Sequence, residues 1–190
     1  MRKRVSIFVS GSGSNAETLY KYFQRSEQID IISVISNRKE AGIFDRALNW
    51  DIPVIYCSNG DFENGHIIQL LEQERIDVII LAGFLKKIPV SLINKYENKI
   101  INIHPALLPK FGGKGMYGMN VHCAVKESNE SESGITIHLV DKDFDSGKIL
   151  FQKSCSILAA DTPQDIARKV QALEHQFYPA VIEEYITQKL

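Results

Sequence analysis

Residues 4–16 read Arg-Val-Ser-Ile-Phe-Val-Ser-Gly-Ser-Gly-Ser-Asn-Ala, and this stretch decides the fold. Its first six residues form a β-rich apolar run, a glycine-rich turn follows from Gly11 to Asn15, and a helical pattern continues to about residue 24. A strand, a glycine-rich turn and a helix start bring free backbone N–H groups and the positive end of the helix dipole to one point. The stretch therefore predicts an anion site at the end of a first buried strand.

The alternation of strand and helix continues outward from this stretch. Buried runs rich in Val, Ile and Leu occupy residues 29–35, 53–56, 77–82 and 99–103. Helical patterns lie between them, at residues 42–50, 62–75 and 89–96. Such strands, separated by helices, are typical of a parallel sheet covered on both faces. We therefore expect an α/β protein with a three-layer α/β/α, Rossmann-like architecture and a mostly parallel, twisted sheet. Its ligands should gather at the carboxyl ends of the strands.

After Pro105 the regular alternation of strand and helix patterns ends. Residues 110–118 contain four glycines and predict a loop, and residues 120–126 predict one or two helical turns. Two further strands, at 134–140 and 148–157, flank an acidic turn at 141–147. Thr162 and Pro163 form a cap and a first-turn proline, which predict a final helix reaching about residue 188.

Composition and charge exclude several classes of function. With 44% hydrophobic residues, 24% charged residues and a formal net charge of −1, the chain has the composition of an ordinary globular protein. This balance gives no reason to expect a nucleic-acid partner or an anionic membrane. The first apolar run is too short for a signal peptide, and no window approaches the roughly 18 apolar residues of a membrane span. Cys57, Cys123 and Cys155 are widely spaced, which favours free thiols in a reducing cytoplasm.

A second informative segment is Asn102-Ile103-His104-Pro105, considered together with Asp145-Ser146-Gly147. Asn102 and His104 are two residues apart at a strand end, so their side chains share one face. An amide can stabilise an oxyanion, an imidazole can move protons, and a carboxylate can orient the imidazole and set its charge. These groups suit an acyl-transfer site without a nucleophilic serine or cysteine. The spacing alone leaves a hydrogen-bonded turn open as the alternative.

Gly13, Ser14 and Asn15 are the residues best placed to contact an anion in the first turn. The spacing Gly-x-Gly-x-x-Ala from Gly11 fits a dinucleotide fingerprint, with Arg38 available to a 2′-phosphate. However, no acidic residue ends the second strand, and the polar Ser14-Asn15 pair suits a terminal monophosphate better. A plain tight turn into a helix is the third interpretation.

Several motifs in sequence order carry a family resemblance. They are Gly11-Ser-Gly-Ser-Asn15, Leu81-Ala-Gly-Phe84, Asn102-Ile-His-Pro-Ala-Leu-Leu-Pro109, Gly134-Ile-Thr-Ile-His138, Asp145-Ser-Gly147, Glu174-His175 and Tyr178-Pro179. With them the chain closely resembles, almost end to end, the phosphoribosylglycinamide formyltransferases, a family of folate-dependent enzymes of purine biosynthesis. The resemblance implies transfer of a formyl group from 10-formyltetrahydrofolate, as co-substrate, to the amino group of N1-(5-phospho-D-ribosyl)glycinamide.

The resemblance also implies roles for individual residues. His104 would transfer protons, Asn102 would stabilise the transition state, and Asp145 would raise the pKa of His104. The substrate phosphate would lie on Gly13, Ser14 and Asn15, and Glu174 would hold the ribose hydroxyls. The reduced folate would contact Asn102, and its pterin pocket would be lined by Leu85, Lys86, Lys87 and Ile88.

The implied organisation is a single domain over residues 1–190. Its phosphate-binding half covers about residues 1–100, and its folate-binding and catalytic half covers about residues 101–190. We expect small-molecule substrates, a monomer or homodimer, and no metal, because no cluster of His, Cys and Asp residues has ligand spacing.

Other interpretations stay open at this point. A methionyl-tRNA formyltransferase or a formyltetrahydrofolate hydrolase would share Asn102, His104 and Asp145, although each normally carries a further domain. An NADP-binding module would leave those three residues unexplained. Neighbouring polar residues are expected to be structural: Asp141 and Asp143 solvated or turn-stabilising, His66 exposed, His122 a surface or helix-start residue, and His138 packed and hydrogen-bonded. Lys110 and Lys114 either reach the phosphate or face water.

Overall fold

The apolar run that opens the chain forms the first strand, and the computed structural model, which describes all 190 residues, contains seven strands and seven helices. The strands are β1 (Lys3–Val9), β2 (Ile29–Ser36), β3 (Val54–Tyr56), β4 (Val78–Leu81), β5 (Ile100–His104), β6 (Glu132–Leu139) and β7 (Ile149–Ser156). The helices are α1 (Ser14–Phe23), α2 (Ile43–Arg46), α3 (Asn59–Glu63), α4 (His66–Gln73), α5 (Val90–Lys95), α6 (Met119–Glu127) and α7 (Pro163–Lys189).

All seven strands belong to one sheet, in the order β3-β2-β1-β4-β5-β6-β7. The first five strands pair in parallel, whereas β6 is antiparallel to β5 and β7 is antiparallel to β6. The expected α/β class and mostly parallel sheet are therefore confirmed. The chain moves outward from β1 to β2 and β3, and then returns to the other side of β1 with β4. This reversal opens a crevice beyond the carboxyl ends of β1 and β4, where ligands bind in sheets of this kind.

The strands are apolar on both faces because helices cover both sides of the sheet. Successive residues of β4 alternate between two cores: Val78 and Ile80 contact the larger core, and Ile79 and Leu81 contact the smaller one. The larger core packs against α1, α2, α6 and α7, and the smaller core packs against α3, α4 and α5. The expected three layers follow from this alternation.

The last helix is anchored across the middle of the sheet. It begins with the expected cap, because Thr162 and Asp165 form a reciprocal capping box ahead of the Pro163 start. Further along, the buried hydroxyl of Tyr178 lies 3.0 Å from the carbonyl oxygen of Leu81 and 3.2 Å from that of Ile101. This contact ties α7 to the neighbouring strands β4 and β5. It brings the preceding turn of the helix to the crevice.

Two predicted helices differ in extent from the observed ones. The pattern at 62–75 predicted a single helix, but α3 and α4 are separated there by Gly65, whose φ of 82° no continuous helix can contain. The pattern at 42–50 predicted a longer helix than is observed: α2 has only four residues, because the chain turns at Ala47. None of the helices combines the length and apolar character needed to cross a lipid bilayer.

Candidate active site

A cavity of about 640 Å³ occupies the crevice at the carboxyl ends of β1, β4 and β5. Its walls come from the turn after β1, the segment 81–88 after β4, the end of β5, the glycine-rich loop, the acidic turn and one face of α7. Every site residue predicted from the sequence lines this one cavity: Gly13, Ser14, Asn15, Leu85, Lys86, Lys87, Ile88, Asn102, His104, Asp145 and Glu174.

Asn102 and His104 lie on the same face of β5, two residues apart. In the antiparallel register between β5 and β6, Asn102 lies directly opposite His138. Their side chains meet, with Asn102 Nδ2 at 3.1 Å from His138 Nε2. The other ring nitrogen of His138, Nδ1, lies 2.8 Å from the carbonyl oxygen of Leu139, to which it can only donate. Nδ1 of His138 therefore carries a proton, and Nε2 faces the Asn102 amide.

Asp145 reaches this pair from the acidic turn, with a φ of 53° that Asp tolerates better than most residues. Its Oδ2 lies 3.6 Å from His104 Nδ1, and its Oδ1 lies 3.6 Å from His138 Nε2. The backbone N–H of Gly113 donates to Oδ2 at 2.9 Å. One carboxylate therefore faces two imidazoles and is held by the glycine-rich loop.

The environment sets the charge state of these groups. Burial lowers the pKa of His104, and this effect outweighs the opposing effects of Asp145 and of the Phe111 carbonyl, which lies 2.7 Å from Nε2. The resemblance implied that Asp145 raises the pKa of His104; the carboxylate acts in that direction, but the net shift is downward. For Asp145 itself, burial would raise the pKa, but His138, His104 and the Gly113 N–H together hold it below its ordinary value.

The turn after β1 forms the second part of the site. Gly13 precedes α1 with a φ of 76°, and a Cβ atom there would lie 2.4 Å from Ile43 Cδ1, so only glycine fits. Asn15 is buried; its Nδ2 donates to Glu174 Oε2 at 2.9 Å, while its Oδ1 has no hydrogen-bond partner. Burial raises the pKa of Glu174. The turn thus combines free N–H groups with a buried acceptor and a desolvated carboxyl group.

The segment after β4 forms the third wall. Ile88 is buried, and Leu85 is partly exposed with its N–H donating to Ser10 Oγ at 2.9 Å. Lys86 forms an ion pair with Glu63 at 2.8 Å, and the ammonium group of Lys87 lies 5.4 Å from the centre of the Phe144 ring. The wall is apolar at its base and cationic at its rim.

Several residues of the cavity were not assigned to it from the sequence, among them His122, His138 and Gln171. His122 was expected at the surface or at a helix start; it lies near the start of α6, but it is buried and its Nδ1 has no partner. His138 is packed as expected, but it also contacts Asn102 and Asp145. Gln171 on α7 donates to Ser14 Oγ at 3.2 Å. Gly134, Thr136 and His138 alternate along β6 and so share one face of the strand. Once β6 is paired with β5, this face places His138 opposite Asn102, which is the signal that could have identified it.

The other candidate residues are divided between the cavity and the outer surface. Arg38, on which the dinucleotide interpretation depended, is exposed and does not line the cavity. Lys110 pairs with Glu130 at 2.8 Å, away from the cavity, whereas Lys114 lines it. Asp141, Asp143 and His66 are exposed, as expected, and the two aspartates also line the cavity. No group of three or more His, Cys, Asp and Glu side chains is arranged to hold a metal ion.

Comparison with known proteins agrees with this geometry. A family model described as formyl transferase matches residues 3–182. The chain belongs to the formyl transferase family. The formyl transferase match covers both the turn after β1 and the segments that carry Asn102, His104 and Asp145.

Four individual relatives within this family share one enzyme name. The chain is 39% identical to the chloroplastic phosphoribosylglycinamide formyltransferase of Arabidopsis thaliana and 43% identical to that of Vigna unguiculata, over 95% and 96% of its own length. It spans 64% and 60% of the length of these two relatives. Among solved structures, the phosphoribosylglycinamide formyltransferase from Anaplasma phagocytophilum superposes with a TM-score of 0.90 at 33% identity, covering 100% of this chain and 89% of that one. The enzyme of the same name from Bacillus halodurans superposes with a TM-score of 0.88 at 32% identity, covering 99% and 97%.

Proposed function

We propose that this formyl transferase family member transfers the formyl group of 10-formyltetrahydrofolate to the amino group of N1-(5-phospho-D-ribosyl)glycinamide, a step of de novo purine biosynthesis. One observation carries the proposal. A turn built for an anion and a cluster of amide, imidazole and carboxylate groups line the same cavity, which has room for two small molecules side by side. The names of the relatives support the choice of substrates.

The nucleotide substrate is assigned to the end of the cavity formed by α1 and α7. The free N–H groups of Gly13, Ser14 and Asn15 and the positive end of the α1 dipole hold its phosphate. The partnerless Oδ1 of Asn15 and the carboxyl group of Glu174 accept hydrogen bonds from the ribose hydroxyls. This position directs the amino group of the substrate toward His104.

The reduced folate is assigned to the wall formed by the segment after β4. Leu85 and Ile88 pack against the flat pterin, while Lys86 and Lys87 provide positive charge at the rim for the carboxylates of the folate tail. Asn102 lies between the two substrates, at the position where the formyl carbon meets the amine.

The chemistry follows from the charge states of the three central groups. The substrate amine attacks the formyl carbon, its C–N bond forms, and the carbonyl electrons move onto the oxygen. The Asn102 amide donates to this oxyanion, a contact worth roughly 3 kcal/mol in comparable sites. Because Nε2 of neutral His104 donates to Phe111, the free lone pair is on Nδ1, where it takes a proton from the new ammonium group.

Asp145 then stabilises the imidazolium that forms at His104. The imidazolium passes its proton to the departing folate nitrogen, directly or through a water molecule held by Asp145, the C–N bond to the folate breaks, and the carbonyl re-forms. Acid–base help of this kind contributes about 100- to 10,000-fold. Holding the amine against the formyl carbon adds a further contribution from proximity.

The cytosol is the compartment proposed for this reaction. Cys57, Cys123 and Cys155 are all free, which suits a reducing environment. The two plant relatives are named as chloroplastic proteins, so the comparison assigns no single compartment to the family.

A direct assay tests the proposed function. The purified protein is mixed with 10-formyltetrahydrofolate and with glycinamide ribonucleotide, initiator methionyl-tRNA or water as the acceptor, and release of tetrahydrofolate is followed. We expect turnover with the ribonucleotide only. A sharp rise in KM for the same substrate without its phosphate would support the phosphate site. Turnover with tRNA or water at a comparable rate would contradict the assignment.

A further inference from the structure

The carbonyl groups of the anion-binding turn are held from outside the cavity by α2. The backbone N–H of Ile43 donates to the carbonyl oxygen of Gly11 at 3.2 Å, and Nε of Arg46 donates to the carbonyl oxygen of Ser12 at 2.6 Å. Neither Ile43 nor Arg46 lines the cavity, whereas Gly11, Ser12 and Gly13 all do. The two carbonyls are therefore bound on the side of the turn that faces away from the ligand space.

Because peptide groups are planar, the hydrogen bonds to the Gly11 and Ser12 carbonyls also fix the direction of the N–H groups that follow them. In a planar trans peptide the C=O of one residue and the N–H of the next point in opposite directions. With the Ser12 carbonyl held by Arg46, the N–H of Gly13 points toward the cavity. With the Gly11 carbonyl held by Ile43, the N–H of Ser12 does the same. The N–H groups of the anion site are thus oriented by hydrogen bonds that α2 makes on the opposite side of the turn.

Arg46 also contacts a charge that would oppose an anion. Glu17 lies in the first turn of α1, and Arg46 Nη1 and Lys21 both pair with its carboxylate. An unpaired carboxylate so close to the helix N-terminus would repel a phosphate. The two effects of Arg46, on the Ser12 carbonyl and on the Glu17 charge, can be separated by mutation.

We propose that Arg46 is a positioning residue for the substrate phosphate, which it serves by holding the Ser12 carbonyl so that the Gly13 N–H faces the cavity. The inference rests on the proposed function, because it assumes that the turn holds the phosphate of the nucleotide. It adds a residue that has no contact with the cavity. Removing a hydrogen bond with a charged partner typically weakens the dependent interaction by about tenfold or more.

The kinetic test compares Arg46→Ala with wild type on two substrates, glycinamide ribonucleotide and the same glycinamide riboside without phosphate. We expect KM for the ribonucleotide to rise about tenfold, with kcat and the KM for the riboside within about twofold of wild type. Lys95→Ala is the matched control, because Lys95 forms an ion pair with Glu72 on the far side of the sheet. Equal losses on both substrates, or no change on either, would overturn the proposal.

A second comparison separates orientation from charge. Glu17→Gln removes the carboxylate but leaves the bond between Arg46 and Ser12. If orientation matters, Glu17→Gln keeps the wild-type KM, and the double variant with Arg46→Ala keeps the raised KM. Recovery of the wild-type KM in the double variant would show that charge alone was responsible and would overturn the proposal.

Binding of ribose 5-phosphate tests the inference independently of formyl transfer. In ¹⁵N-labelled wild-type protein, the Gly13 amide should shift on titration with ribose 5-phosphate, and in Arg46→Ala the Kd should rise about tenfold with a smaller shift. An unchanged Kd overturns the inference even if the enzyme is active. Inactivity of wild type toward the ribonucleotide, with the expected change in Kd, overturns the proposed function alone.

Discussion

Asp145 is the residue at which the site converges, since its two carboxylate oxygens each face a different histidine. A buried carboxylate ordinarily resists ionisation, but here the neighbouring imidazoles and the Gly113 N–H keep its pKa low. The negative charge is therefore present before any substrate binds. It is available to stabilise a proton on His104 when the proposed reaction places one there.

Asp145→Asn tests this role at constant shape. We expect kcat for formyl transfer to fall about 100-fold, because the imidazolium that forms during the reaction loses its counter-charge. In wild type the Asp145 carboxylate raises the pKa of His104. The variant lacks this charge, so its His104 pKa, measured by NMR titration, should be lower than in wild type.

Lys142→Gln is the control for the same turn, since Lys142 is exposed and does not line the cavity. Its kcat and the His104 titration should match wild type. Equal loss of activity in both variants would mean that the turn tolerates no substitution, and it would contradict a specific role of the Asp145 carboxylate in stabilising His104.

At the residue scale the sequence predicted the side chains that share one strand, but not their partners across strands. The spacing of Asn102 and His104 is local, and it placed both on one face of β5 correctly. His138 required the direction and register of β6, which no local pattern states. His122 was misjudged because the glycine-rich loop before it suggested a surface position, whereas Val121 and Val125 bury that side of α6.

At the scale of elements, the acidic turn is positioned by a close approach of two backbones. An added Cβ at Gly147 would lie 1.8 Å from the carbonyl oxygen of Leu139, which belongs to β6 at the other end of the turn. The turn therefore closes on itself without room for a side chain. Asp145 lies two residues before this closure, so its position depends on it.

Gly147→Ala should displace the turn and the Asp145 carboxylate with it. We expect a fall in kcat of at least about tenfold together with a lower Tm, because a clash with backbone cannot be relieved by side-chain rotation. Circular dichroism and the formyl-transfer assay measure the two effects.

Gly60→Ala is the matched substitution, because a Cβ there meets only Ser58 Oγ at 3.5 Å and the residue lies in α3. It should leave kcat unchanged and leave the Tm equal to or above that of wild type. A Gly147→Ala protein that behaves the same way would refute the dependence of Asp145 on this closure.

Elements were predicted well where periodicity is strong and poorly where one glycine changes the chain direction. The runs that became β1 to β5 were recognised because both faces of each strand are apolar. The division between α3 and α4 was missed because the apolar spacing continues through Gly65, while its backbone conformation does not. The extent of α2 was overestimated for a related reason, since its pattern continues past the point where the chain turns.

At the scale of the whole molecule, burial of imidazoles links stability to pH. Burial lowers the pKa of His122, and protonation of the neighbouring His104 lowers it further. In the unfolded chain the same imidazole binds a proton near its ordinary value of 6.5. As pH falls below that value the unfolded state binds more protons than the folded state, so the free energy of unfolding decreases.

His122→Gln should reduce this dependence. Urea unfolding at about pH 7.5 and about pH 5.5 gives the free energy of unfolding of both proteins, and wild type should lose more of it than the variant. The raised pKa of Glu174 contributes a slope of opposite sign, but it is common to both proteins and cancels in the difference. Equal losses in wild type and variant would mean that His122 does not titrate differently on folding.

The attachment of α7 has a consequence for the newly made protein. Asn102, His104 and Asp145 all emerge from the ribosome before the helix that carries Gln171 and Glu174. A nascent chain therefore exposes its proposed proton-transfer groups first, and the α7 wall of the cavity is added when Tyr178 docks on β4 and β5. A chain that stops before α7 lacks this wall of the cavity, so we expect such a fragment to show no formyl transfer.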